Sequence, residues 1–187
     1  MRVIAGSARS LPLKTVPGLC TRPTTDRTKE TLFNILMPDL PSARFLDLFA
    51  GSGGIGIEAL SRGASYACFA ERDRKACACI RENLAFTRLA DRAEVLESDV
   101  IAAIGTLERR GTGPFDIVFM DPPYREGLEQ AVLERLHGSP LVTDRTLLVF
   151  EASIDTDISF AEGAGYRILR DKRYKTNRHV FLEAGKG

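Results

Sequence analysis

Short apolar runs alternate with helical patterns along most of the chain, beginning at residue 43. The runs are rich in leucine, valine and phenylalanine, and they predict strands at 43–50, 65–70, 93–98, 115–121 and 146–152. Between them, apolar residues recur at helical spacing and predict helices at 54–62, 73–88, 99–110 and 127–137. Such alternation is typical of a mostly parallel sheet that helices cover on both faces, so the sequence predicts an α/β fold.

The end of the chain has a different pattern from the alternating middle. YRILRDKRY, which starts at Tyr166, and TNRHVFLEA, which ends at Ala184, read as two strands with a short polar link between them. Strands joined by so short a link pair antiparallel. We therefore expect an antiparallel hairpin to complete the sheet.

The first 41 residues form a separate piece before the sheet. MRVIAG and LPLKTV are predicted to pair as a small hairpin, and TTDRTKETLFNILM predicts a helix with Leu32, Ile35 and Leu36 on one face. Pro38 and Pro41 then end that helix. Because about 40 residues are few for an independent core, we interpret residues 1–41 as an extension packed on a main domain of residues 42–187.

Length and composition narrow the class of protein. The chain has 187 residues, of which 44% are hydrophobic and 27% charged, as in an ordinary globular domain. This balance excludes a disordered or fibrous chain. No apolar run approaches the roughly 20 residues of a membrane-spanning helix, and the start of the chain, MRVIAGSARS, has no stretch long enough for a secretory signal. We therefore expect a cytoplasmic protein.

The charges are unevenly distributed although they nearly cancel. The chain has 26 basic and 25 acidic residues, which gives a net charge of +1. Residues 1–29 and residues 166–187 each carry +5, which leaves −9 in the middle. This pattern favours a catalytic domain flanked by segments that bind phosphate. The alternative is a pair of solvated tails.

The cysteines do not form a metal-binding pattern. Cys20, Cys68, Cys77 and Cys79 contain no C-x-x-C pair, and the sequence has only two histidines. A zinc site is therefore not expected. We predict buried, reduced thiols instead.

A glycine-rich turn stands where the first predicted strand meets a helix. The segment DLFAGSGGIG begins at Asp47, and Gly51, Gly53 and Gly56 fit G-x-G-x-x-G with Glu71 at the spacing of a ribose-binding acid. That spacing would suggest a nicotinamide dehydrogenase, but no chain remains for a substrate domain and Asp47 is a poor neighbour for a pyrophosphate. A cationic ligand such as S-adenosylmethionine suits the acid better. The simpler alternative is a plain strand-to-helix turn.

A second motif, DPPY, follows the apolar strand FDIVFM. Two prolines cannot continue a strand, so the chain leaves the sheet at its carboxyl edge, beside the glycine turn. There the Asp121 carboxylate and the Pro122 carbonyl can accept both N–H bonds of a nucleobase amine, and Tyr124 can stack on the base. The alternative is a loop in which Tyr124 only packs.

Asp99 is a third candidate, at the end of the third predicted strand. Its carboxylate is placed to accept from an adenine amino group in the same crevice. It also stands where an aspartate commonly caps a helix. The two roles are compatible.

With DLFAGSGG and DPPY, the chain resembles the class I S-adenosylmethionine-dependent methyltransferases, among them the enzymes that methylate amino groups of nucleic acids. RPTTDRTKETLFNIL and the opening MRVIAG are similar to the bacterial RsmD family, which methylates a guanine N2 in small-subunit (16S) ribosomal RNA. The resemblance covers essentially the whole chain. It implies a Rossmann-like sheet of seven strands, an N-terminal extension that contacts RNA, and a target in the assembled small subunit.

The resemblance also assigns residues to roles, as three sets. It implies that the target amine is served by Asp121, Pro122, Pro123 and Tyr124. It implies that the cofactor S-adenosylmethionine is bound by Asp47, Phe49, Gly51, Ser52, Gly53, Gly54, Glu71, Arg72 and Asp99. It places Arg22, Thr24 and Asp26 near the entrance for the RNA. The basic ends of the chain, independently of the resemblance, add Arg27, Lys172, Arg173 and Lys175 as expected RNA contacts. We expect a monomer with no metal and no membrane partner.

Two other functions are weighed against this one. A DNA adenine-N6 methylase shares the DPPY chemistry, but the short chain has no obvious domain for reading duplex sequence. A non-catalytic ribosome assembly factor would not need an intact DPPY. Without the resemblance, the residues do not distinguish guanine from adenine or cytosine, because each base offers an amine.

Overall fold

The computed structural model describes residues 1–16, 26–123 and 126–185. Within these residues the strands are β1 Arg44–Asp47, β2 Tyr66–Glu71, β3 Ala93–Glu97, β4 Ile117–Met120, β5 Leu147–Ser153, β6 Tyr166–Arg173 and β7 Asn177–Ala184. The helices are α1 Asp26–Leu36, α2 Gly54–Ser61, α3 Arg74–Thr87, α4 Val100–Arg109, α5 Leu128–Leu136 and α6 Phe160–Gly163. None of the described helices is long and apolar enough to cross a membrane.

One sheet of seven strands, in the order β3-β2-β1-β4-β5-β7-β6, organises the molecule. The first five strands are parallel, whereas β7 runs antiparallel to both β5 and β6. The predicted α/β fold and its closing hairpin are thus confirmed. Since β7 is antiparallel, the turn between β6 and β7 lies at the edge where the parallel strands have their carboxyl ends.

The two faces of the sheet carry separate hydrophobic clusters. Phe45, Phe69 and Phe119 belong to the cluster beneath α1, α2 and α3. Their neighbours in sequence, among them Leu46 and Val118, belong to the cluster beneath α4, α5 and α6. Side chains of a strand alternate between faces, so a continuous apolar run fills both layers.

The shortest elements differ from the sequence predictions. The helix α6 and a 3₁₀ turn at Ala90–Arg92 were not predicted, because three or four residues are too few to show a period. The predicted N-terminal hairpin was wrong in extent, since it is reduced to an isolated antiparallel bridge between Arg2 and Pro12. The bridge is made by the Val3 N–H to the Leu11 carbonyl and the Leu13 N–H to the Met1 carbonyl. It goes no further because the next N–H groups, of Ile4 and Ala5, donate to Glu58 instead.

The N-terminal extension shares the core of the main domain. Val3 and Leu13 are buried in the same cluster as Leu32 and Phe33 of α1. Ile35, which we predicted on the buried face of α1, is only half-buried; the buried residues are Lys29, Leu32, Phe33 and Leu36. A helix that packs on two sides buries positions outside its apolar stripe, which periodicity alone does not reveal.

The buried carboxylate of Glu58 on α2 attaches the extension to the domain. Its two oxygens accept from the backbone N–H groups of Ile4, at 2.8 Å, and Ala5, at 3.0 Å. The Arg62 Nε lies 2.7 Å and the Lys29 Nζ 3.4 Å from the same carboxylate. Burial lowers the pKa of Lys29 and the charge of Glu58 opposes that shift. One acid therefore joins α1, α2 and the first residues of the chain.

The described cysteines agree with the prediction of buried thiols. Cys68, Cys77 and Cys79 are free and buried. Burial raises the pKa of the Cys68 thiol to about 12 and that of Cys77 to about 11. Cys20 lies outside the described residues.

The role of Glu58 generates a prediction about stability. Glu58→Ala leaves Lys29 buried without its counter-charge, which costs about 3–5 kcal/mol of unfolding free energy. The matched control is Glu97→Ala, because Glu97 forms an exposed ion pair with Arg81 at 3.6 Å and such pairs contribute less than about 1 kcal/mol. Urea unfolding measures both. Equal losses in the two variants would contradict the assignment.

Candidate active site

A cavity of about 250 Å³ lies at the carboxyl ends of β1, β2, β3 and β4. Neighbouring parallel strands end at the same edge, which is where open α/β sheets bind ligands. The cavity is lined by Leu48, Phe49, Gly51, Ala70, Glu71, Arg72, Ser98, Asp99, Val100, Ile101, Asp121, Pro123 and Leu128. Seven of these were predicted site residues, from both the cofactor set and the target-amine set. The fold thus brings the two motifs together.

The glycine loop is shaped by close packing at the start of α2. Gly53 precedes the helix with a left-handed φ of 83°, which favours glycine. A Cβ on Gly56 would lie 2.3 Å from the Phe69 ring of β2, so this position tolerates no side chain. The loop can therefore pass tightly from β1 into α2 while its first glycine, Gly51, faces the cavity.

Glu71, at the end of β2, holds the glycine loop in place. Its Oε2 accepts from the Gly51 N–H at 2.8 Å, and its Oε1 accepts from the Asp73 N–H at 2.8 Å. The side chain also lines the cavity. Since each carboxylate oxygen has two lone pairs, the group retains capacity to accept from a ligand hydroxyl.

Asp47, at the end of β1, lies beneath the loop and does not line the cavity. Its Oδ2 accepts from the Gly56 N–H at 3.2 Å, whereas its Oδ1 has no hydrogen-bond partner among the described residues. Burial, with a smaller contribution from the charge of Glu71, raises the pKa of Asp47 to about 7. Near neutral pH the site therefore contains a buried acid that a positive charge would stabilise.

Asp99 and Ser52 both form hydrogen bonds within the protein. The Asp99 Oδ1 accepts from the Ala102 N–H at 3.0 Å and caps α4, while the exposed side chain also lines the cavity. Ser52 is half-buried, and its carbonyl accepts from Asn83. Neither Ser52 nor Gly54 lines the cavity. Gly54 packs against the Met1 side chain.

The turn after β4 places Asp121 in a strongly acidic environment. Burial first, and then the charges of Glu151, Asp47 and Glu129, raise the pKa of Asp121 well above its usual range. Pro123 is exposed and lines the cavity beside it. Pro122 is buried, and Tyr124 lies outside the described residues. Among the described side chains, no group of three or more acids, histidines or cysteines is arranged to hold a metal ion.

A buried network on β5 and β7, next to Asp121, was not predicted from the sequence. Met120 pairs with Phe150 in the register of β4 and β5, so Asp121 and Glu151 follow on neighbouring strands. Glu151 accepts from Asn177 at 2.7 Å, and its other oxygen lies 2.9 Å from the His179 Nε2. A carboxylate inside the apolar run TLLVFEA was the signal that could have marked Glu151.

Asn83 on α3 was also missed, although it connects the extension to the glycine loop. Its Oδ1 accepts from the Lys14 N–H at 2.9 Å, and its Nδ2 donates to the carbonyls of Lys14 and Ser52, both at 3.0 Å. The partners lie 69 and 31 residues away in sequence. No local pattern encodes contacts over such separations.

The residues expected to contact RNA occupy two regions. Lys172, Arg173 and Lys175 are exposed at the hairpin turn, near the same edge as the cavity. At the start of α1, Asp26 pairs with Arg2 at 2.9 Å and Arg27 is exposed. Arg22 and Thr24 lie outside the described residues.

The sheet order, the glycine loop after β1 and the acidic turn after β4 together define a class. This class has the Rossmann-like fold that the sequence resemblance implied. The S-adenosylmethionine-dependent methyltransferase of Agrobacterium tumefaciens has the same fold, with a TM-score of 0.64 over 89% of this chain and 63% of that one, at 18% identity.

Comparison with proteins of more similar sequence shows the family to which the chain belongs. The family described as Conserved hypothetical protein 95 matches residues 1–183. Ribosomal RNA small subunit methyltransferase D of Escherichia coli K12 is 42% identical over 174 residues, which cover 92% of this chain and 84% of the relative. The solved structure of yhhF from Escherichia coli superposes with a TM-score of 0.87 at 34% identity, covering 100% and 99% of the two chains. The chain belongs to this family, the RsmD family.

The buried Asp47 carboxyl should make the stability of the folded protein depend on pH. Because the folded pKa of Asp47, about 7, lies above the ordinary aspartate value of 3.8, the folded protein binds the extra proton and loses stability as the pH rises from about 4 to 7. Asp47→Asn removes this penalty. We expect the variant to gain up to about 4 kcal/mol over the ligand-free wild type at about pH 8, and almost nothing at about pH 4.

Urea unfolding at both pH values measures the difference, and the measurement at about pH 4 is the internal control for any effect of the amide itself. A gain of the same size at both pH values would mean that Asp47 is ionised without cost.

Proposed function

We propose that the protein transfers the methyl group of S-adenosylmethionine to the N2 amine of a guanine in small-subunit (16S) ribosomal RNA. The observation that carries the proposal is the shared cavity, in which Asp121 of the DPPY turn and Gly51 of the glycine loop line one space. The choice of ribosomal RNA rests on the relatives named ribosomal RNA small subunit methyltransferase D. The choice of guanine N2 rests on the family resemblance.

The cofactor fits the acidic character of the cavity. S-adenosylmethionine supplies a methyl group on a sulfonium and also carries an ammonium and a carboxylate, so its methionine end has a net positive charge. Asp121, Asp99 and Glu71 line the cavity, and the buried Asp47 lies beneath it. We assign Glu71 to the ribose hydroxyls, Asp99 to the adenine amino group and Phe49 to contact with the adenine ring.

The target amine is held by acceptors at the DPPY turn. The lone pair of an exocyclic amine is delocalised into the base, so the nitrogen is a poor nucleophile. Acceptance of its two N–H bonds by the Asp121 carboxylate and the Pro122 carbonyl fixes the nitrogen with its lone pair toward the methyl group. Orientation of this kind supplies most of the acceleration, since it replaces a chance encounter by a fixed geometry. The role of Tyr124 is to stack on the base.

The raised pKa of Asp121 bears on how it binds the amine. The ionised carboxyl is the stronger acceptor of an N–H bond, since the protonated form has an O–H donor on one oxygen. Its neighbours Glu151, Asp47 and Glu129 disfavour that form, whereas a nearby positive charge favours it.

The substrate is proposed to approach across the basic hairpin turn. Lys172, Arg173 and Lys175 are exposed close to the carboxyl edge, and the N-terminal extension contributes Arg22, Thr24, Asp26 and Arg27. We infer that a monomer acts on the assembled small subunit in the cytoplasm. The extension of residues 1–41 is then the RNA-contacting part, and residues 42–187 form the catalytic domain.

Mapping of transferred label tests the proposed function. Wild-type protein is incubated with labelled S-adenosylmethionine and small subunits that lack the modification, and the RNA is digested to nucleosides. We expect N2-methylguanosine at a single position. Label on adenine N6, or no label in the RNA, would overturn the proposal.

The role of Asp121 predicts a separation of binding from transfer. Asp121→Ala is expected to reduce single-turnover methyl transfer by at least about 100-fold, because the amine loses its main acceptor. Cofactor affinity, measured by calorimetry, should remain near the wild-type value. The control is Asp144→Ala, an exposed aspartate before β5 at the opposite edge of the sheet. A collapse of cofactor affinity would place Asp121 in the cofactor site instead.

The basic hairpin turn predicts a change in salt dependence. The binding constant K for RNA falls as salt is added, so a plot of log K against log[salt] has a negative slope. Replacement of Lys172, Arg173 and Lys175 by alanine should make that slope less steep by about 2, since each phosphate contact contributes about 0.7. Arg145→Ala, near the opposite edge, should leave the slope unchanged. An unchanged slope in the triple variant would make the hairpin a solvated tail. Titration of fluorescent RNA at several salt concentrations supplies the measurement.

A further inference from the structure

A second concave region lies outside the catalytic cavity, between the N-terminal extension and α3. This groove has a volume of about 580 Å³ and is lined by Pro12, Leu13, Lys14, Glu82, Asn83, Ala85 and Phe86. Phe86 is 55% exposed, the most exposed of the large hydrophobic side chains in the described part of the chain. An aromatic ring so exposed beside a concave surface needs an explanation, because large apolar groups at such sites commonly mark binding.

The two segments that form the groove contain more basic than acidic residues. Residues 1–16 contain three basic residues and no acid, and the segment 74–88 contains four basic residues and one acid. Arg2 pairs with Asp26 and Arg81 with Glu97. Four basic residues of the two segments have no ion-pair partner among the described residues: Arg9, Arg74, Lys75 and Arg88. The one acid, Glu82, pairs with the Lys14 Nζ at 2.6 Å, but both side chains are more than half exposed. An exposed pair of this kind contributes little and exchanges readily for another anion.

The walls of the groove are held in a fixed arrangement. The backbone of Lys14 is bonded through both its N–H and its carbonyl to the buried Asn83 of α3. Leu13 is buried in the core and anchors the preceding residue. Lys14 and Phe86 are consequently presented on rigid elements, so a ligand that contacts both loses little entropy to ordering the protein.

We propose that this groove binds an unpaired nucleotide of the RNA, with the base stacked on Phe86 and its phosphate bound by Lys14. An exposed aromatic ring beside lysine on a positively charged surface is the combination that single-stranded nucleic acids recognise. The charge on both sides favours RNA over an apolar segment of a protein. The inference rests on the proposed function in that it takes RNA to be the substrate, and it adds a contact outside the catalytic cavity.

The test compares binding of a fluorescent single-stranded RNA of about 12 nucleotides with binding of an abasic strand of the same length. Phe86→Ala is expected to weaken binding of the RNA by about 5- to 150-fold, since it removes one stacked base. Affinity for the abasic strand should not change. Phe86→Tyr should bind both strands as the wild type does, because a tyrosine ring also stacks.

Met37→Ala is the matched control, because Met37 follows α1, is 47% exposed and does not line the groove. It should bind both strands normally. The inference is overturned if Phe86→Ala binds the RNA as tightly as the wild type does. It is also overturned if the variant binds the RNA normally and loses affinity only for intact small subunits, because the groove would then bind a ribosomal protein.

Label mapping with the same variants separates the two proposals. If the wild type methylates the small subunit while Phe86→Ala binds the RNA normally, the groove is excluded and the proposed function stands. If Phe86 is required for RNA binding but no methyl group reaches RNA, the groove stands and the proposed function fails.

Discussion

Two carboxylates at the ends of neighbouring strands hold the glycine loop, and the rest of the site depends on them. Glu71 of β2 accepts from the Gly51 N–H, and Asp47 of β1 accepts from the Gly56 N–H. The loop is therefore fixed at its start and at its entry into α2. Both acids remain close to the cavity, so the same bonds that shape the loop also make its surroundings negative. Shape and charge of the site have a common origin.

The parallel order of the strands extends this acidic character to the second motif. Because β1 pairs with β4 and β4 with β5, the ends of these strands bring Asp47, Asp121 and Glu151 to one edge. Burial first, and the charges of neighbouring carboxylates second, raise the pKa values of Asp47 and Asp121. A site of this kind favours a cation over a pyrophosphate. That preference separates it from dinucleotide-binding sheets with a similar glycine pattern.

The N-terminal extension is connected to the catalytic machinery by buried polar groups. Glu58 of α2 holds the backbone of Ile4 and Ala5. Asn83 of α3 bonds both to Lys14 of the extension and to Ser52 of the glycine loop. A surface that is proposed to meet RNA is thus continuous, through two side chains, with the loop that is proposed to meet the cofactor.

The sequence by itself determined the strands of the sheet, the closing hairpin and the two motifs, because periodicity and turn chemistry are local properties. Asp121 and the glycines are readable for the same reason: their neighbours in sequence define the turns that they occupy. Only the tertiary structure decided that Asp47 lies beneath the loop, that Glu151 stands beside Asp121, and that Asn83 bridges two distant segments. These roles arise from contacts between residues far apart in the chain, and burial and charge at such contacts exist only once the strands are ordered in the sheet.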